Sequence, residues 1–363
     1  MFQSFLKPLL SLSNKKSGFL NYIHMFRGLA ILVIVAIHCR ISFGWGDHHL
    51  SQQFFITFLD NGTVLFVFVA GFLFQYLKAN YEYADYLLRK AKYVLLPYLI
   101  VSIPVIVFRK FNQSTEEWLP LSLVDAPYVL KSAYMLISGK HLGPFWFIPM
   151  ITIFYAISPL LIRLDHKRFY TTLFPIVLFA GLFTFQFGYF SNIIYSFLHF
   201  LPVYLFGMWA AHYRERLTNI KWTWIMLLVL IYLVIAILEM SGYIPVQKLT
   251  SFESSKVLPY FHFNTVKLRV MLLCIILLRV LYHFNSRDFK ILGTLGDYSF
   301  GIYFTHLYVT TFIEMAVERV GLDFHLNWYL FCLYIAVVTL SSMLIVLIVK
   351  KIAGKRSRLI IGS

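Results

Sequence analysis

The chain has 363 residues, 60% of them hydrophobic and only 13% charged, with a mean hydropathy of +0.73. Such a chain has too little polar surface to cover itself in water, which excludes an ordinary soluble domain and makes lipid its solvent. A net charge of +16 and a pI of 9.6 would suit nucleic acid, but the placement of the basic residues excludes that class, as shown below.

Taken from the N-terminus, residues 1–22 carry Lys7, Lys15 and Lys16 without an apolar core and small-residue cleavage site, so the first span itself is expected to direct insertion. About 20 apolar residues cross the hydrocarbon as a helix. Ten stretches qualify, at about 26–44, 54–77, 93–108, 144–162, 170–187, 191–211, 222–241, 264–284, 298–317 and 326–349. The segment 127–138 is apolar but too short to span, and reads as an interfacial or re-entrant helix. Cys39, Cys274 and Cys332 lie in or beside these stretches with no Cys-x-x-Cys pair, and read as small buried hydrophobes.

The positive-inside rule orients the spans. With the N-terminus in the cytoplasm, 22 of the 32 basic residues and 6 of the 16 acidic ones fall on inside segments. The whole net charge then lies on one side. Runs such as Arg89-Lys90-Ala91-Lys92 and Lys350-Lys351 sit at helix ends, where topology and anionic lipid explain them without nucleic acid. The expected fold is all-α, a polytopic transmembrane helical bundle of about ten spans with cytoplasmic N- and C-termini. It forms a single domain over 1–363, with a cytoplasmic N-terminal segment at 1–22 and a basic cytoplasmic tail at 350–363.

Polar groups inside spans are costly and tend to mark function. In the first span Arg27 and His38 are eleven residues apart, which is ~16 Å along a helix and about three turns plus 20° around it. They therefore share a face. Either could instead be bland: Arg27 snorkelling to headgroups, His38 bonded to a backbone carbonyl. The ninth span supplies a second stripe, Ser299, Tyr303 and His306 at i, i+4 and i+7, which faces a polar cavity or a dense hydrogen-bond network. His199 reads equally as a cavity residue or a structural one. Glu239 and Glu314 read as wet carboxylates near outer helix ends, and Arg269 as reaching the outer interface. His24, His48, His49, His141 and His262 have no metal-like spacing, and no metal site is expected.

At these residues the sequence resembles bacterial membrane acyltransferase family 3, also described as acyltransferase-3 or integral membrane O-acyltransferase. The likeness covers most of the chain. Arg27 to His38 matches the family's Arg, ten residues, then His. Phe66 to Phe72 resembles its Phe-Phe-x-x-Ser-Gly-Phe element, Arg89 to Tyr98 its basic run ending in Pro97, and Phe145-Trp146-Phe147-Ile148-Pro149 its Trp-Phe element. Gly296 to His306 matches the late Gly-x-x-Ser motif that closes on Tyr and His. Two positions depart from the pattern: His24 stands where the family often has an acidic residue or Asn, and Ala70 replaces the Ser before Gly71. Some relatives carry an added C-terminal soluble domain, which is not expected here.

The resemblance implies acyl-CoA, most simply acetyl-CoA, as co-substrate, with no permanently bound cofactor. It implies an acceptor hydroxyl on a cell-surface glycan or its lipid-linked oligosaccharide, at the bacterial inner membrane, with polysaccharide biosynthesis proteins as further partners. Arg27, with Arg89, Lys90 or Lys92, would hold donor phosphates. His38 would act as general base or as an acyl carrier. His306, Tyr303 or Ser299 would orient it or donate to the oxyanion, and Trp146 and His199 would line the acceptor path. The competing expectations are a transporter or flippase for a lipid-linked sugar, and a non-catalytic partner of a polysaccharide synthase.

Overall fold

The structure, a computed structural model, describes residues 20–43, 50–59, 62–112, 119–184, 192–244, 263–286, 289–321 and 328–363. The N-terminal lysines, His48, His49 and His262 lie outside the described residues. Among those described there are helices and no strand.

In chain order the helices are α1 (Asn21–Cys39), α2 (Leu50–Leu59), α3 (Gly62–Tyr76), α4 (Tyr83–Lys90), α5 (Leu96–Asn112), α6 (Tyr128–Ser138), α7 (Phe147–Ala156), α8 (Ser158–Leu164) and α9 (Phe174–Gly181). They continue as α10 (Ile193–His212), α11 (Arg214–Thr218), α12 (Trp222–Met240), α13 (Thr265–His283), α14 (Lys290–Val320), α15 (Trp328–Ala353) and α16 (Ser357–Ile361). A π-helical turn over Ala91–Leu95 joins α4 to α5. Such turns re-aim the side chains on either side of them, and often occur at functional sites.

The described residues of each of the ten apolar stretches are mainly helical. Among the described residues six helices are long and apolar enough to cross a membrane, or seven if the pair Gly143–Ala156 and Ser158–Leu164, bent by 58°, crosses as one. The bend has a local cause, since Pro159 lacks an amide hydrogen and crowds the preceding turn. The remaining three stretches fall short for separate reasons. The helical run Phe169–Gly181 is short. α13 carries Lys267, Arg269 and Arg279, and α14 carries the polar stripe. Lys267 and Arg269 of α13 and Ser299, Tyr303 and His306 of α14 are buried, so they are met inside the bundle rather than by lipid.

α1 is the hub, packing against α14, α3, α13 and α15. Two of its neighbourhoods depend on missing side chains. A β-carbon on Gly28 would sit 2.1 Å from the carbonyl oxygen of Leu292, and one on Gly296 would sit 2.5 Å from that of His24. α1 and α14 thus touch backbone to backbone, which brings their polar stripes together. α3 and α10 meet in the same way through Gly71 and Gly207, whose β-carbons would each come within 2.1 Å of a carbonyl oxygen across the contact. Gly71→Ala is therefore expected to cost about 1–3 kcal/mol of stability by overpacking, read as a fall in melting temperature in detergent. Gly293→Ala, with its nearest neighbour atom 3.9 Å away, is the matched control and should melt close to wild type.

α5, α12 and α15 turn large apolar side chains outward, among them Phe111, Trp224, Met226 and Leu340, the face a lipid-exposed helix presents. Cys332 lies on this outer side of α15 and is exposed, so it does not join Cys39 and Cys274 as a buried hydrophobe. Two other sequence expectations are corrected here. Glu239 is 7% exposed and Arg269 1% exposed, so neither is a wet interface group. Arg269 Nε donates to Glu239 Oε2 at 2.7 Å, Arg269 Nη1 to the Tyr232 hydroxyl at 3.3 Å, and Thr265 Oγ1 to Glu239 Oε1 at 2.8 Å. One turn into α13, the guanidinium finds its carboxylate across the α12–α13 contact more cheaply than by reaching for water.

Candidate active site

The site is built on the α1–α14 contact. At one end Arg27 Nη2 donates to Ser299 Oγ at 2.8 Å, and Ser299 in turn donates to the carbonyl of Gly296 at 3.0 Å. At the other end the rings of His38 and His306 face each other, with centroids 5.3 Å apart and planes at 48°. Two helices whose polar stripes were each legible alone are clipped together by one pair at each end.

The tautomer of His306 follows from its partners. Nδ1 lies 2.8 Å from the carbonyl oxygen of Tyr303 and 3.1 Å from that of Ile302. A carbonyl only accepts, so Nδ1 carries the hydrogen and Nε2 keeps a lone pair. That Nε2 is buried and has no hydrogen-bond partner. An unpaired acceptor in a closed interior is costly unless something is meant to donate to it. His38, beside it, is only part-buried.

A loop completes the wall. A β-carbon on Gly143 would lie 4.0 Å from His38 Cε1, so the chain runs past the imidazole at van der Waals distance. The next residue is tied to the same site, because the Tyr303 hydroxyl donates to the carbonyl of Pro144 at 2.6 Å. Gly139 ends α6 at φ +68°, a left-handed turn packed on the backbone of Trp146, where a β-carbon has no room. His141 Nδ1 donates to the Met135 carbonyl at 2.9 Å, and its Nε2 lies 2.8 Å from the Ser102 hydroxyl, which is also 2.7 Å from the Tyr98 carbonyl oxygen. Burial pushes His141 down to about 4, with the Arg109 charge adding to it, so the ring is neutral in this role. Arg109 Nε donates to the His141 carbonyl at 3.1 Å.

The expected site residues therefore divide. Arg27, Ser299, Tyr303, His306 and His38 lie along one helix contact, but Tyr303 is engaged by Pro144 and Ser299 by Arg27, which leaves His306 as the one beside His38. Lys90 is within electrostatic range of Arg27 and Arg89. Its ammonium lies 4.7 Å from the ring centre of Tyr155 and 5.2 Å from that of Tyr86. Lys92 turns instead to Tyr93, at 5.7 Å. Trp146 stacks on Phe200 with centroids 5.8 Å apart, and His199 Nδ1 lies 3.2 Å from the Thr184 carbonyl oxygen. Both flank Phe200 rather than His38. His24 pairs with Asp297 at 3.1 Å, one turn from Arg27. Among the described residues no group of three or more His, Cys, Asp or Glu side chains is placed to hold a metal ion.

Sequence reasoning passed over Arg40. It stands in the turn Arg40–Phe43 that follows α1, its charge within range of His38 and its Nε buried without a partner. The signal was available: a second cation two residues beyond the span histidine. For the lock formed by His141, Ser102 and Arg109 there was none, because its members are far apart in the chain.

A family model described as an acyltransferase domain, that of acyltransferase family 3, matches residues 20–347. The chain belongs to acyltransferase family 3. No curated protein and no solved structure matches it. This acyltransferase is thus a multi-pass membrane protein whose paired polar stripes on α1 and α14 lie within the matched region.

Proposed function

We propose that the acyltransferase moves an acyl group, acetyl in the simplest case, from cytosolic acyl-CoA to a hydroxyl of a cell-surface polysaccharide or its lipid-linked precursor on the far side of the inner membrane. The observation that carries this reading is the His38–His306 ring contact, held by the same helix pair that holds Arg27 on Ser299. Ten spans with both termini cytoplasmic would put Arg27 at the cytosolic mouth and His38 deeper in the membrane. Arg27, Arg89 and Lys90 bind the donor's phosphates there, and its long thin arm delivers the thioester along the α1–α14 contact.

His38 then takes the proton of the acceptor hydroxyl as its oxygen attacks the thioester carbonyl carbon. An imidazole whose unperturbed pKa is about 6.5 is suited to both halves of this exchange. The C–S bond breaks, the CoA thiolate leaves, and it recovers the proton from His38. As His38 becomes charged, the free lone pair on His306 Nε2 takes up a hydrogen bond from the other ring nitrogen of His38, which orients it and stabilises the imidazolium. Trp146, with one face on Phe200, offers the acceptor sugar its other face, and His199 closes the wall behind it. Donor and acceptor meet from opposite sides, so CoA never crosses.

The test supplies acetyl-CoA labelled in the acetyl group to inside-out membrane vesicles with and without the protein. Label should appear, ester-linked, in glycan on the vesicle lumen side only when the protein is present. Vesicles that pass unmodified sugar across without consuming acetyl-CoA would replace this reading with a transporter.

A further inference from the structure

The segment after the last long helix reads from sequence as a basic cytoplasmic tail explained by topology. In the structure it folds back. α16 packs against α5, α14 and the π-helical turn at Ala91–Leu95. Gly362, at φ +73°, turns the chain beside α14, where a β-carbon added to it would lie 3.4–3.5 Å from Phe300 and Phe304. Ser363 Oγ then accepts from the backbone N–H of Gly301 at 2.8 Å, and Ser357 Oγ donates to the Ser363 carbonyl at 2.8 Å. The seat exists because residue 301 is glycine: a β-carbon there would come within 2.6 Å of Val346 and 2.8 Å of the Ser363 hydroxyl.

This docking brings Arg358 over the ring of Tyr93, with its guanidinium carbon 4.3 Å from the centroid. Ser299, two residues before the tail's anchor at Gly301, holds Arg27. Arg358 is within electrostatic range of both Arg27 and Lys90. Four cations, Arg27, Arg89, Lys90 and Arg358, are therefore gathered at the Arg27 end of α1. Among the described residues none of the four has a carboxylate within ion-pair distance. The partners they do have are a hydroxyl for Arg27 and aromatic faces for Lys90 and Arg358, which leave most N–H donors open. Asp297, the acid whose charge reaches Arg27, is already engaged by His24 at 3.1 Å. Like charges held together at the edge of a low-dielectric bundle repel strongly, and a polyanion relieves that repulsion.

We propose that Arg358, carried in by the refolded tail, completes with Arg27, Arg89 and Lys90 a binding site for the phosphate groups of a coenzyme A donor. The proposal rests on the donor reading given above. It assigns a donor contact to a segment beyond residue 347, where the family match ends. The tail thereby becomes a working part of the site.

Calorimetric titration of the full-length protein in detergent, with acetyl-CoA and separately with S-acetylpantetheine, which lacks the nucleotide phosphates, tests it. Arg358→Ala should weaken acetyl-CoA binding by about tenfold or more and leave S-acetylpantetheine unchanged, with Arg358→Lys recovering part of the loss. Gly301→Ala removes no charge but unseats the tail, and should weaken acetyl-CoA in the same direction. If wild type binds acetyl-CoA and Arg358→Ala binds it equally, the tail has no such role and the donor reading survives. If both probes weaken together in Arg358→Ala, the loss is one of fold and the phosphate contact is refuted. Failure of wild type to bind acetyl-CoA overturns the donor reading, and the tail site with it.

Discussion

His38→Ala is expected to lower acyl transfer by about 10²–10⁴-fold, the contribution of a well-placed general base. Donor binding should hardly change, because Arg27 and Ser299 close the far end of the same helix contact without it. His306→Ala should also lose activity, but through a different signature. Its Nε2 is a buried acceptor with no partner of its own, and its removal takes away the group that would hold His38 in one orientation. The rate loss should then be smaller than for His38→Ala, and the pH–rate profile should move as the support for the His38 imidazolium is lost. Initial rates with labelled acetyl-CoA, from pH 5.5 to 9, read both effects. Wild-type turnover by His38→Ala would remove the imidazole from the chemistry, and an unshifted profile in His306→Ala would reduce that ring to packing.

The largest stability effect is expected far from this chemistry, at Glu239 and Arg269. Both are buried, and their ion pair joins α12 to α13 with Tyr232 and Thr265 closing the remaining valences. Removing one partner of such a pair leaves the other charge stranded, at a cost of about 3–5 kcal/mol. Glu239→Ala and Arg269→Ala should each lower the melting temperature markedly. Replacing both together by Leu and Met should recover most of the loss, because no charge is left unpaired. Single variants that melt like wild type would mean that water or lipid headgroups reach the pair. Near-additive losses in the double variant would mean that the two groups do not act on each other.

The two sets of residues show why parts of this molecule were legible and parts were not. Arg27 and His38 share a face because a helix turns by a fixed angle per residue, and so do Ser299, Tyr303 and His306. Local periodicity carries that information whatever the rest of the chain does. Glu239 and Arg269 were misjudged for the opposite reason. Each lies near a helix end, where the local pattern reads as interface, and only the packing of α12 on α13 shows that they neutralise each other. Arg358 was read as a topology signal because nothing within the tail announces that Gly301, 62 positions away from Ser363, leaves a seat for it.

Composition and periodicity were enough to determine that lipid is the solvent, that the chain is helical, and which polar side chains share a stripe. The family motifs placed it among the acyltransferases. Which stripes meet was decided only in three dimensions. Arg27 meets Ser299 across 272 positions of sequence, His306 lies against His38, and a loop pinned by Tyr303 and His141 passes over the imidazole. A helix fixes the faces of its own residues through covalent geometry and hydrogen bonds within four residues. Which face it buries against another depends on where two backbones can approach, and here glycines at 28, 71, 207 and 296 set those approaches.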